Sequence, residues 1–270
     1  MFPLRTPSLP ANADALRTAL EAGLREVLNS AAAAMVTIED RKYPDLATIR
    51  ICIDEASIGN RPPRFRAPAG KLEPALQVGH FEVSGRPIHL QNAAIDLRCV
   101  AEDVKIGQSR DREGNLLLLL QNAASGKVEL SIPVRDLNEL MRSAVSAAAA
   151  EQGVIVEEFD LNLRAEHERA LALEARIRAR KLFLSTEVCI TGKVEIDQQL
   201  NARISGLECF AEGTLGTLAC GFLAPHLQRF NDRSFSLLGP PLGELEPRNI
   251  EIAVDDELRI RAQFGSESAA

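Results

Sequence analysis

Apolar positions change their spacing along the chain in a regular way. After Pro10, the helix-capping types Asn12 and Asp14 precede Leu16, Leu20, Leu24, Val27 and Ala31, which recur at helical spacing. Arg17, Glu21, Arg25 and Glu26 fall largely off that stripe, and the spacing predicts an amphipathic helix carried by SAAAAM towards Met35. The period then drops to two. Ile49, Ile51 and Ile53 share one face of a predicted strand, and Arg50, Cys52 and Asp54 share the other. GNRPPRFRAPAGKLEP reads as a Pro-rich loop. LQVGHFEVSG, RPIHLQ, AAIDLRCVAEDVKIG and NLLLLLQ follow as strands of an antiparallel meander, with Ile95, Leu97 and Cys99 alternating against Asp96 and Arg98.

Near Gly126 the plan restarts. GKVELSIP is a predicted strand, and Asp136 and Glu139 then stand at capping-box spacing. The helix they open carries Leu137, Leu140, Met141, Ala144, Val145 and Ala148, and Gly153 suits its C-terminal stop. A second meander places Phe159, Leu161 and Leu163 together. It also alternates Leu171, Leu173, Ala175, Ile177 and Ala179 against Glu174, Arg176, Arg178 and Arg180. GTLGTLACGFLAPHLQRF predicts a glycine-rich helix that Pro225 kinks or bounds, and NIEIAVDDELRIRAQF a closing hairpin. The fold expected is α+β: elongated, highly curved antiparallel β-meanders around long apolar helices. It would have a helix-plus-meander half over 1–126. A second such half over 127–270 adds the C-terminal helix and hairpin, and the two would form one continuous domain.

Composition narrows the function. A net charge of −7 lacks the basic footprint of a nucleic-acid binder, and 4% aromatics supply few stacking platforms. No apolar run reaches the roughly 20 residues that span a bilayer, and the N-terminus does not read as a signal peptide. A cytoplasmic chain is therefore expected, peripheral to a membrane at most. Five cysteines without a CxxC pair read as buried thiols in a reducing compartment.

Candidate chemistry is sparse. GxSxG, GxGxxG and the phosphate-binding GxxxxGK[ST] are missing. His80 and His89 could meet across a hairpin, but nothing beside them completes a metal site. Neither a cofactor nor a metal is implied, and no catalytic residue stands out. An enzyme would need His80 or His226 joined to a distant carboxylate. The arginines of RIRARK, Arg176, Arg178 and Arg180, share one strand face, and Arg61, Arg64 and Arg66 cluster in the Pro-rich loop. Such clusters fit anionic lipid head groups. They equally fit a solvated strand face paired with Glu174 or with a neighbouring strand's acids.

VSGRPIHLQNAAIDLRCVAEDV, VELSIPVRDLNELM and the run from EARIRARKLFLSTEVCITGKVEID through GTLGTLACGFLAPHLQRF to the last hairpin together carry a resemblance. Over about Gly79 to Phe264 the chain resembles the LmeA family of bacterial phospholipid-binding proteins, whose fold is similar to the tubular lipid-binding (TULIP) proteins. The resemblance implies a long curved sheet around helices and an apolar groove for lipid tails, with no catalytic residues. The function expected is non-catalytic binding of a phospholipid or similar apolar molecule, in the manner of a carrier. Leu140, Met141, Val145, Phe159, Leu218 and Phe222 would line the groove, and Arg176, Arg178 and Arg180 would meet head groups. The alternative is a structural or scaffolding protein with a filled core that acts through its surface.

Overall fold

Side-chain alternation, interrupted by three stretches of helical period, shapes a chain of fifteen strands and three helices among the described residues. The computed structural model describes residues 2–4, 6–29, 34–58, 70–181, 183–197, 201–236 and 247–265. The arginines Arg61, Arg64 and Arg66 lie outside them. Two units emerge: Met1–Ser131 with Leu238–Asn249 and Ile260–Ala270, and Ile132–Leu237 with Ile250–Arg259.

In the first unit, β1 (Phe2–Leu4) precedes α1 (Ala13–Val27). The helix starts where the Asn12 side chain accepts the Ala15 N–H at 2.9 Å, as the capping residue predicts. It stops well short of Met35. Two reciprocal backbone hydrogen bonds tie Asn29 to Ser57, so the chain there is committed to a bridge and has left the helix. The strands that follow are β2 (Val36–Lys42), β3 (Asp45–Cys52), β4 (Ser57–Ile58), β5 (Glu73–Leu90), β6 (Ala93–Arg110), β7 (Leu116–Asn122) and β8 (Ser125–Pro133).

The expected break between LQVGHFEVSG and RPIHLQ is a register shift between Gly85 and Ile88 inside one long β5. Nor is the sheet a pure meander, since β5 pairs antiparallel with β6 but parallel with β3. β1 is held by β7, with Phe2 opposite Leu118 and Leu4 opposite Leu116.

The core of this unit is closed. Leu16 and Leu20 on α1 pack against Leu46, Ile49, Ile51, Val78, Val104 and Leu118, all of them nearly inaccessible to solvent. Burial on that scale gives about 1.5–3 kcal/mol per side chain. The polar face of β3 and β5 stays outside, carrying Arg50 and Glu82.

In the second unit, α2 (Val134–Ala150) leads into β9 (Ile155–His167), β10 (Ala170–Lys181), β11 (Leu184–Ile196) and β12 (Asn201–Phe210). Then come α3 (Gly213–Phe230) and β13 (Ser234–Ser236). The expected capping box at Asp136 does not form. Pro133 is the N-cap, without a side-chain cap, and the Val134 N–H donates to the Asp256 carbonyl. Asp136 is instead buried and accepts from its neighbour Arg135 at 3.2 Å. Gly153 does take positive φ, +68°, just past the helix end. α3 runs through Pro225 without ending there.

The strands form an antiparallel sheet ordered β13-β12-β11-β10-β9. The hairpin β14 (Pro247–Val254) and β15 (Glu257–Phe264) closes the described chain, and β15 lies next to β8 in the first sheet. No described helix is long and apolar enough to cross a membrane.

Candidate functional site

The register of the second sheet sorts its side chains into two faces. Phe159, Ile177 and Val188 form one row across β9, β10 and β11, and Leu161, Ala175 and Ile190 form the next. These residues share the face that α2 and α3 cover. α2 rests on β9, and α3 rests on β12 and β11. Central strand β10 therefore lies beneath the space between the two helices, and its inward side chains there are small or medium: Ala175, Ile177 and Ala179.

Leu137 and Val145 approach this face from α2, and Ala219 and Leu223 from α3. The five most buried residues of this cluster, Phe159, Leu161, Ala175, Ile177 and Val188, each keep 5–9% of their surface accessible. The result is an apolar layer with β10 as floor, α2 on the β9 side and α3 on the β12 side.

Several of the expected lining residues are assembled here and others are not. Val145 and Phe159 meet in the cluster. Leu140 is half-buried on α2, while Met141 and Leu218 are exposed, at 40% and 58%. The side chain of Phe222, like that of His226, lies outside the described residues, although its backbone is part of α3. Sequence reading placed Ala175 and Ile177 on an apolar strand face but did not assign them to the site. Their signal was the run of small and medium residues in the strand that neither helix sits on.

The arginines expected at head groups occupy the opposite face of the same strand. Alternation along β10 puts Arg176, Arg178 and Arg180 across the sheet from Ala175, Ile177 and Ala179. Arg176 donates to Glu174 at 2.8 Å, and Arg180 donates to Glu157 at 2.7 Å. Arg178 donates to Glu158 at 2.9 Å and to Glu187 at 3.4 Å. The hydrogen bond that Arg176 donates to Glu174, with the charge of that carboxylate, raises the Arg176 pKa further above its already high value. These exposed pairs contribute little to stability, but they mean that any anion binding here competes with carboxylates already in place.

One cysteine expectation is overturned. Cys209, at the end of β12, and Cys220, on α3, form a disulfide that ties the helix to the sheet edge. They are brought together because β12 turns directly into α3, whose second turn crosses back over the strand. Spacing without CxxC hid that contact. Cys52, Cys99 and Cys189 are free thiols. Burial pushes the Cys99 thiol up to about 11, far from a reactive thiolate.

In the first unit, His80 and His89 do not meet across a hairpin, because both belong to β5. The His80 imidazole Nδ1 is 2.8 Å from Glu102, and His89 Nε2 is 3.0 Å from Glu55. Beside His80, burial raises the Glu82 pKa, but hydrogen bonds and charge from Arg50 and Arg98 outweigh that and leave it lowered. Both clusters sit on an open sheet face. Among the described residues no three His, Cys, Asp or Glu side chains come together as a metal site would require.

The fold and site define a mixed-sheet α+β protein whose second unit packs two helices on the apolar face of an antiparallel sheet. No family model, curated protein or solved structure matches the sequence.

Proposed function

We propose that the second unit binds a phospholipid or a similar apolar ligand, without catalysis, in the trough between α2 and α3 above β10. The observation that carries this reading is the residual exposure of Phe159, Leu161, Ala175, Ile177 and Val188 beneath two helices. The core of the first unit is tighter at its centre, where Leu16, Leu46, Ile49 and Ile51 are 0–1% accessible. Aliphatic surface left accessible inside a fold is a place for an acyl chain, because covering it by ligand recovers hydrophobic free energy that folding has not. The resemblance to the LmeA family, and through it to curved tubular lipid-binding folds, points the same way. A role as carrier follows from an open trough.

The cytoplasmic placement expected from the sequence is opposed by the Cys209–Cys220 bond, since disulfides persist in oxidising compartments. The bond favours such a compartment.

The experiment is native mass spectrometry of the purified protein, followed by uptake of lipid by Ala175→Phe. The larger side chain rises from the trough floor into space an acyl chain would use. Wild type is expected to carry lipid at fixed stoichiometry. The variant should lose uptake while keeping its melting temperature within a few degrees, because the trough accommodates the ring. An apo wild type that takes up nothing from a lipid mixture, together with a variant that unfolds, would show a filled core and favour a scaffolding protein.

A further inference from the structure

One end of the second unit carries a concentration of exposed apolar side chains. Ile155, Phe183 and Leu184 are 56%, 84% and 46% accessible. The register places them together: Ile155 pairs with Arg180, and Leu184 with Lys181, at the β10–β11 turn. The start of α3 lies at the same end. A Cβ at Gly216 would touch Ala211 and lie 3.4 Å from the Thr186 hydroxyl, near the start of β11. This brings exposed Leu215 to the same end. The proposed trough between α2 and α3 would open at this end too, because α2 finishes where β9 begins.

Two features select the occupant. Strand alternation puts Ile155 on the arginine face with Arg180, and Leu184 on the trough face with Lys181. Each face of the ribbon end thus carries one exposed apolar side chain, Ile155 on one and Leu184 on the other, and a flat protein surface would cover only one of them. A fluid apolar medium covers both. Charge agrees, since Lys181 has no carboxylate partner among the described residues and stands directly behind the apolar turn, where lipid phosphates would lie over an immersed tip.

We propose that the β10–β11 turn, with Phe183 at its apex, inserts into the surface of a lipid bilayer and sets the open end of the trough against the membrane. As a route for ligand this rests on the lipid-binding reading, but insertion itself does not. The wild-type chain has no Trp, so Phe183→Trp places a single reporter at the apex.

In the full-length protein, phosphatidylcholine vesicles should shift the indole emission of Phe183→Trp to the blue, and brominated acyl chains should quench it. Phe183→Asp should weaken vesicle co-sedimentation roughly tenfold or more. Lys181→Glu should weaken it most on vesicles containing phosphatidylglycerol. Because Phe183 is so exposed, Phe183→Asp should keep its fold and its uptake of a short-chain phospholipid offered below its micelle concentration. Emission indifferent to vesicles, or wild-type co-sedimentation by Phe183→Asp, overturns insertion and leaves the trough reading standing. A dimer that Phe183→Asp converts to monomer also overturns it and makes this end a self-association surface. Insertion without any uptake of the soluble lipid supports the tip and removes the trough.

Discussion

Gly23 sits inside α1, where helix propensity alone would favour alanine by about 1 kcal/mol. Its surroundings reverse the sign. A Cβ there would drive into the Pro3 carbonyl oxygen, a backbone atom that β1 holds in place through its pairing with β7. Gly23→Ala is therefore expected to destabilise the protein by about 1–3 kcal/mol, the usual range for overpacking. A melting temperature raised by the substitution would show that β1 yields freely. No pattern in the sequence marked this glycine, since the strand it touches has three residues. The site residues divide in the same way. Phe159 could be placed because strand alternation fixes the face of every residue. Met141 and Leu218 could not, because a helical stripe shows which side is apolar and not whether anything lies against it.

At the scale of elements, the strands with clean alternation were legible: β3, β6, β9, β10 and the closing hairpin all fall where period two puts them. β2, with VTIEDRK, was not, because four of its seven residues are charged and its ladder to β3 does the work that an apolar face does elsewhere. β1 and β13 are too short to show a period. α3 was read as a helix, but its attachment was not.

Most of the apolar surface of α3 is only partly covered, so the Cys209–Cys220 link takes a larger share of holding it down. Closing a loop of this size contributes about 2–4 kcal/mol. Reduction, or Cys220→Ser, is expected to speed amide hydrogen exchange across α3 while leaving β5 and β6 unchanged. Equal exchange in oxidised and reduced protein would mean that packing alone fixes the helix. A purified chain with five titratable thiols before reduction would show that the bond does not form.

For the whole molecule, the contrast between the two cores makes a prediction about where stability resides and where a ligand acts. Amide exchange follows local opening, which is rarest where apolar burial is most complete. In the first unit Leu46, Ile49, Ile51, Val78, Val104 and Leu118 are almost wholly withdrawn from water, so β3, β5, β6 and β7 should hold the slowest amides. β9 and β10 should exchange faster, despite their regular ladders, because the residues on their inner face keep 5–9% of their surface accessible and, on the proposed reading, border a trough. A ligand bound in that trough stabilises only the conformations that contain it, by about 2.7 kcal/mol at a hundredfold excess over its dissociation constant. Saturating lipid should therefore slow exchange in α2, α3 and β10 and leave the slow core of the first unit unmoved. Protection confined to the first unit would place the ligand elsewhere. Uniform protection would show that the two cores open as one cooperative body, and the residual accessibility above β10 would then have to be explained by something other than a binding site.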